Sequence, residues 1–199
     1  MSQPIHLTTP LSGESVRQLK VNDIVTLTGT IYTARDMAHL KLRELQESGR
    51  PLPEPLEGSV IFHAGPVVKK AEGGFDLLNI GPTTSIRMEP HSEFLGRLGV
   101  RAIVGKGGLG EGSVQAFQKY GMVYLLAAPG CGVLHAQAVK KVKRVHWLEE
   151  MGMPEAIWVL DVKEWGPLMV GMDSQGKSIF QDIKEEGLRK LDSLVKGWK

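Results

Sequence analysis

Cysteine is almost missing from this chain: there is one, Cys131, in 199 residues. An internal disulfide is therefore excluded, and nothing else in the composition calls for an oxidising compartment. The same scarcity limits metal chemistry, because iron–sulfur clusters draw on about three or four thiolates and structural zinc on about four closely spaced Cys or His ligands. The six histidines, His6, His39, His63, His91, His135 and His146, show no such spacing. The chain is expected to hold no metal or cluster by itself. Long apolar runs are absent too, and none approaches the roughly 20 residues that cross a bilayer. The opening Met1-Ser2-Gln3-Pro4-Ile5-His6 lacks the basic start and apolar core of a secretory signal. Nor is one sign of charge in excess: 24 Lys+Arg against 22 Asp+Glu leave a net +2, too little for a nucleic-acid footprint. The expectation is a cytoplasmic protein that meets neither membrane nor nucleic acid.

What is present is ordinary globular material, 42% hydrophobic and 23% charged. The length suits one domain over residues 1–199, whose end, 177–199, reads as a charged helical tail with Ile183, Leu188, Leu191 and Leu194 facing in. Residues 4–20 read as irregular. Asp23–Tyr32 is β-branched and predicts a strand. Thr33 then looks like an N-cap with Asp36 three residues on, opening a helix to about Ser48 with Met37, Leu40 and Leu45 inward. The proline-bearing stretch 49–58 is a loop. Strands are predicted at 59–63, 75–80, 102–104, 122–127, 142–148, 156–162 and 167–172. Gly73-Gly74 reads as a hairpin-like turn, and helices are predicted at 112–120 and 134–140. A short helical stretch opens at Thr83-Thr84-Ser85 and is interrupted by Pro90, and Ser92 caps a second piece reaching Leu98. The alternation of strand and helix makes the fold class α/β.

Gly105-Lys106-Gly107-Gly108-Leu109-Gly110 fits G-x-G-x-x-G after a strand and before a helix, the context of a dinucleotide fingerprint. The acid expected about 20 residues further on is missing, since the next strand runs into Ala127-Ala128-Pro129. Two readings stand beside nucleotide binding: a tight turn that needs glycine backbone angles, and a loop in which Lys106 reaches an anion beside a helix N-terminus. Two more cations occupy comparable places. Arg35 is expected in the first turn of a helix, and Arg87 follows the hydroxyl-rich turn 83–85. The helix macrodipole opposes a cation in a first turn, so three such cations make sense around an external anion, Arg offering a planar fork and Lys a point charge. Taken singly, each also reads as a solvated loop residue or a surface ion-pair partner.

Several segments together resemble the β subunit, or C-terminal domain, of the class I fumarases. They are Thr28-Gly29-Thr30 with Thr33-Ala34-Arg35-Asp36 and His39; Phe62-His63-Ala64-Gly65-Pro66; Gly81-Pro82-Thr83-Thr84-Ser85-Ile86-Arg87-Met88; Gly105-Lys106-Gly107-Gly108; and Pro129-Gly130-Cys131. They run in order, and His146-Trp147, Gly152-Met153-Pro154-Glu155 and Lys163-Glu164-Trp165-Gly166-Pro167 extend the likeness, which covers about residues 5–175. The L-tartrate dehydratase β subunit shares the pattern.

The resemblance implies a swivelling β/β/α three-layer domain and a hydro-lyase that reversibly hydrates a dicarboxylate. Fumarate to L-malate is the first reading and L-tartrate dehydration the alternative. It implies a [4Fe–4S] cluster held by a partner α subunit in an α2β2 complex, consistent with a lone Cys131 that reads as a small buried hydrophobe. Arg35, Arg87 and Lys106 match the dicarboxylate contacts. Thr83 matches a threonine near the proton-transfer step, although a neutral threonine is a poor base unless a neighbour takes its proton. Asp36, His39, Thr84 and Gly107 stand behind these residues; Asp36 equally reads as a capping acid and His39 as a packed helix residue. His63 ends a strand near the site. Two rival classes are a nucleotide-dependent oxidoreductase and a binding module whose cations dock on an acidic partner.

Overall fold

The computed structural model describes residues 3–196. Its strands β1 (Ile5–Thr8), β2 (Ile24–Thr33), β3 (Val60–Phe62), β6 (Ala102–Gly105) and β7 (Val123–Leu126) run parallel, side by side in that order. The long β9 (Ile157–Met172) lies antiparallel on β7 through Met169–Met172 and antiparallel on β2 from Met169 back to Val159. Strands β2, β3, β6, β7 and β9 thereby close a ring, and β8 (Val139–His146) extends β9 on its outer side. A separate antiparallel hairpin pairs β4 (Ala64–Ala71) with β5 (Gly74–Pro82).

Alternation along the strands builds two cores, because successive side chains point to opposite faces. Leu27, Ile31, Phe62, Val104, Leu125, Trp158 and Leu160 form one cluster with Val68 and Ile80 of the hairpin and Ala136 of α5 (Gly132–Ala138). The intervening Tyr32, Ile61, Ile103, Tyr124 and Val159 form the other, against α2 (Asp36–Glu47), α3 (Ser92–Arg97) and α4 (Glu111–Tyr120). Hairpin, main sheet and helices are the three layers of a swivelling β/β/α domain. Buried side chains the size of Phe62 and Trp158 contribute about 1.5–3 kcal/mol each.

Several expectations need correction. The entry segment contains β1 and a short helix, α1 (Gly13–Gln18), whose N-cap Ser12 accepts from the Ser15 amide at 3.0 Å. Only Leu7 of β1 is buried, so it shows no apolar alternation. Thr33 is the last residue of β2 and caps nothing; its hydroxyl donates to Ala156 O at 3.3 Å and accepts from the Trp158 amide at 2.9 Å. Helix α2 turns Ala38, His39 and Leu42 inward, while Met37 and Leu40 are exposed. The apolar phase misled there because a histidine belongs to the core. Ser92 is the first residue of α3 and not its N-cap, and it ties α3 to α4 through Ser113 Oγ at 2.8 Å. The strands expected at 156–162 and 167–172 are one, β9, continuous through Glu164 (φ 50°). Helix α5 ends at Ala138, so β8 begins earlier than expected. The tail helix (Ile179–Lys196) leaves Ile183, Leu188, Leu191 and Leu194 exposed rather than facing in. An apolar stripe reports a helix face, not that this chain covers it. The end of the tail, 197–199, lies outside the described residues.

Candidate functional site

Three neighbouring parallel strands deliver the candidate residues. β2 runs out through Thr33 to Arg35, β3 through Phe62 to His63, and β6 through Gly105 to Lys106. β3 lies between the other two, and strands in a sheet are spaced about 4.8 Å apart, so Arg35 and Lys106 leave the sheet roughly 10 Å from each other. Carboxyl ends of parallel strands are where α/β sheets bind ligands. The hairpin strand β5 ends at the same place. The Thr83 amide donates to His63 O at 2.6 Å, the Lys106 amide to Thr83 O at 3.3 Å, and the Ser85 amide to Lys106 O at 3.0 Å. Thr84 and Lys106 are thus bridge partners, and Arg87 follows within the 3-10 turn Ser85–His91. The structure brings the turns of Arg35, Thr83–Arg87 and Lys106 together.

Their side chains meet different partners. Arg87 donates to both oxygens of Asp36, at 3.3 and 2.9 Å, and this guanidinium holds the Asp36 carboxyl below its usual range. Asp36 therefore braces Arg87. Arg35 Nε lies 3.2 Å from Glu155 Oε1, and the other oxygen of Glu155 accepts from the Met37 amide at 2.9 Å. Lys106, half-buried, makes no ion pair among the described residues. It lines, with Gly107, a mainly apolar cleft of about 520 Å³ walled by Leu126, Pro129, Pro167 and Phe180. Arg35 and Arg87 lie outside that cleft.

His39, His63 and His91 form a buried stack below the three turns. The His39 ring is 5.2 Å from His63, edge to face, and 5.0 Å from His91, nearly parallel. Burial pushes His39 down to about 4 and takes His63 well below the ordinary imidazole value. His39 Nδ1 lies 2.7 Å from the Arg35 carbonyl, so it holds the Arg35 turn through the backbone. His63 Nδ1 lies 2.9 Å from Ser85 Oγ, which is 2.9 Å from the Tyr124 hydroxyl. Tyr124 in turn reaches the carbonyl of Gly107, a residue at φ 72°, at 2.9 Å. The close approach requires Gly105, where a side-chain Cβ would collide with Ser85 Oγ and come within 3.1 Å of the Tyr124 hydroxyl.

Sequence reasoning missed Ser85, Tyr124, His91 and Glu155 as neighbours of the site. Ser85 and Glu155 stand inside the family-like segments 81–88 and 152–155, but Tyr124 sits in an apolar strand and carries no local signal. The reading of the glycine loop as an anion seat beside a helix N-terminus also changes, because the Gly110 amide at the start of α4 donates to Glu89 Oε2 at 2.6 Å. An internal carboxylate holds the place a pyrophosphate would take. Cys131, half-buried before α5, is the only cysteine, and no group of three or more His, Cys, Asp or Glu among the described residues is arranged for a metal ion. The donor set of this chain does not fit a [4Fe–4S] cluster.

Four parallel strands closed into a ring by antiparallel β9, a hairpin layer and basic turns at the strand ends make a β/β/α domain, and comparison with known proteins gives it a family. The chain belongs to the fumarase C-terminus family, whose model matches residues 1–183. It is 42% identical over 190 residues to the L(+)-tartrate dehydratase subunit beta of Escherichia coli (strain K12), covering 95% of this chain and 92% of the relative. A Methanocaldococcus jannaschii protein, provisionally named as an L(+)-tartrate dehydratase subunit beta, is 47% identical over 186 residues, 93% of this chain and 95% of the relative. A longer Geobacillus stearothermophilus protein, provisionally named as a class I fumarate hydratase, is 41% identical over 192 residues, which are 96% of this chain and 36% of that protein.

Proposed function

We propose that this chain is the β subunit of a hydro-lyase and supplies the cations that seat a small dicarboxylate in a site shared with an α subunit. The observation that carries the reading is the delivery of Arg35 and Lys106 from strands either side of β3, with the Thr83–Arg87 turn stitched to Lys106 between them. A [4Fe–4S] cluster belongs to the α subunit on this reading, the assembly is α2β2, and its setting is the cytoplasm.

The chemistry of this chain is electrostatic. Removing a proton from the carbon next to a carboxylate pushes charge onto that carboxylate. Fixed cations around it stabilise the transition state more than the ground state. Arg87 and Arg35 offer planar forks, and the half-buried Lys106 adds a point charge near apolar walls, where low polarity strengthens it. Asp36 and Glu155 hold the two guanidiniums in place until a substrate carboxylate arrives. Thr83 is anchored by both backbone groups in the turn beside them, and its hydroxyl is the candidate for the proton-transfer step.

Fumarate and L-malate are the first substrate pair. L(+)-tartrate is the second reading, favoured by relatives of matching length that carry its name. The test is anaerobic purification of this chain with its cysteine-rich partner, followed by assay of fumarate, L-malate and L(+)-tartrate side by side. No turnover of any dicarboxylate by a cluster-loaded complex sinks the reading.

A further inference from the structure

The Gly107 carbonyl can only accept, so at 2.9 Å the Tyr124 hydroxyl must donate its single proton there. Tyr124 then has only lone pairs for Ser85 Oγ, and Ser85 must donate to Tyr124 across their 2.9 Å contact. Ser85 is left with lone pairs for His63, so His63 Nδ1 carries a hydrogen and donates across 2.9 Å. The order is one-way: His63 Nδ1–H to Ser85 Oγ–H to Tyr124 Oη–H to Gly107 carbonyl. The reverse order would press two unprotonated oxygens together at Gly107.

The partner of His39 Nδ1 among the described residues is the Arg35 carbonyl, which can only accept, so Nδ1 must donate to it. In neutral rings Nε2 of both histidines is then a bare lone pair, and both atoms are buried without a hydrogen-bond partner among the described residues. Each chain starts on a ring of the stack and ends on the backbone of a turn bearing or adjoining a candidate cation: Arg35 for His39, and, by way of the Ser85 hydroxyl, Gly107 next to Lys106 for His63.

We propose that His63 and His39 are positioning residues, each fixed as the neutral Nδ1–H tautomer, whose one-way hydrogen-bond chains lock the Arg35, Thr83–Arg87 and Lys106 turns in the geometry that seats the substrate anion. This rests on the proposed function for its consequence in turnover, but not for the tautomers themselves.

Two measurements test it. In the full chain labelled with ¹⁵N-histidine, long-range ¹H–¹⁵N correlation spectra should show two rings as Nδ1–H tautomers at pH 7, assigned by their loss in His63→Asn and His39→Asn. An Nε2–H tautomer or an imidazolium for either ring overturns the assignment. In the complex with the α subunit, Ser85→Ala and Tyr124→Phe should each lower kcat/KM about tenfold or more. His63→Leu should do the same, while His63→Asn, whose amide keeps a donor near the Nδ1 position, should stay within about threefold of the parent. Equal losses in His63→Asn and His63→Leu, or full activity in Ser85→Ala and Tyr124→Phe, overturn the positioning role. An inactive parent complex counts against the proposed function, and the tautomers still decide this inference.

Discussion

Arg87 closes on Asp36 with both Nε and a terminal nitrogen, so the fork assigned to a substrate carboxylate is already shaped by a carboxylate of this chain. Both partners are partly exposed, at 46% and 39% of the side chain, and such pairs contribute at most about 1 kcal/mol to stability. The pair therefore orients the guanidinium without burying it, and a substrate can displace Asp36 at small cost.

From this follows a separation between turnover and stability. Arg87→Ala and Lys106→Ala should each lower turnover at least about a hundredfold, the usual effect of removing one contact to a developing anion, roughly 3–4 kcal/mol. Thermal unfolding of the variant subunits should stay close to the parent. Steady-state kinetics with near-parental constants in both variants would reject the carboxylate seat.

Gly105 should tolerate no side chain. A methyl group there meets Ser85 Oγ head on and crowds Tyr124, and forcing room in a packed site costs typically 1–3 kcal/mol. Gly105→Ala should therefore lower the unfolding midpoint and impair turnover together. A variant as stable and active as the parent would show that the β6 end is more yielding than its contacts indicate.

The start of α4 carries its own anion. Glu89 accepts from the Gly110 amide, a charge-assisted cap at the positive end of the helix. Glu89→Ala should destabilise the subunit by about 1 kcal/mol, read from urea unfolding, and should not create affinity for dinucleotides in a binding titration. Saturable NAD binding by either protein would revive the oxidoreductase reading.

Acid should weaken the fold through the histidine stack. His39 titrates at about 4 when folded, against 6.5 when exposed, and His63 and His91 are lowered in the same direction, burial being the largest cause for each. Between pH 6.5 and 4 the unfolded chain binds more protons than the native one, so stability is complete above about 6.5 and declines as pH falls. His39 alone accounts for a loss on the order of 3 kcal/mol by pH 4. The lowered carboxyls of Asp36 and Glu54, held down chiefly by Arg87 and Arg144, add to the loss at still lower pH. Urea unfolding from pH 7.5 to 4.5 should show the decline beginning near 6.5 and a shallower slope in His39→Asn. A flat profile down to pH 5 would contradict it.

The sequence by itself determined the alternation of strands and helices, the glycine and proline turns, and the inability of a chain with one cysteine to carry a cluster alone. Those features are local: β-branched runs, turn residues and ligand counts act within a few residues of themselves. Tertiary structure alone decided that Arg35, His63 and Lys106 leave adjacent strands, that Glu155 and Asp36 brace the guanidiniums, and that His39 belongs to the core while Met37 does not. It also joined two predicted strands into β9, the piece that closes the ring. Each of those outcomes depends on which distant segments pair and in what register. Periodicity marks which side of an element is apolar, but not which neighbour will cover it, and here the neighbour lies far along the chain.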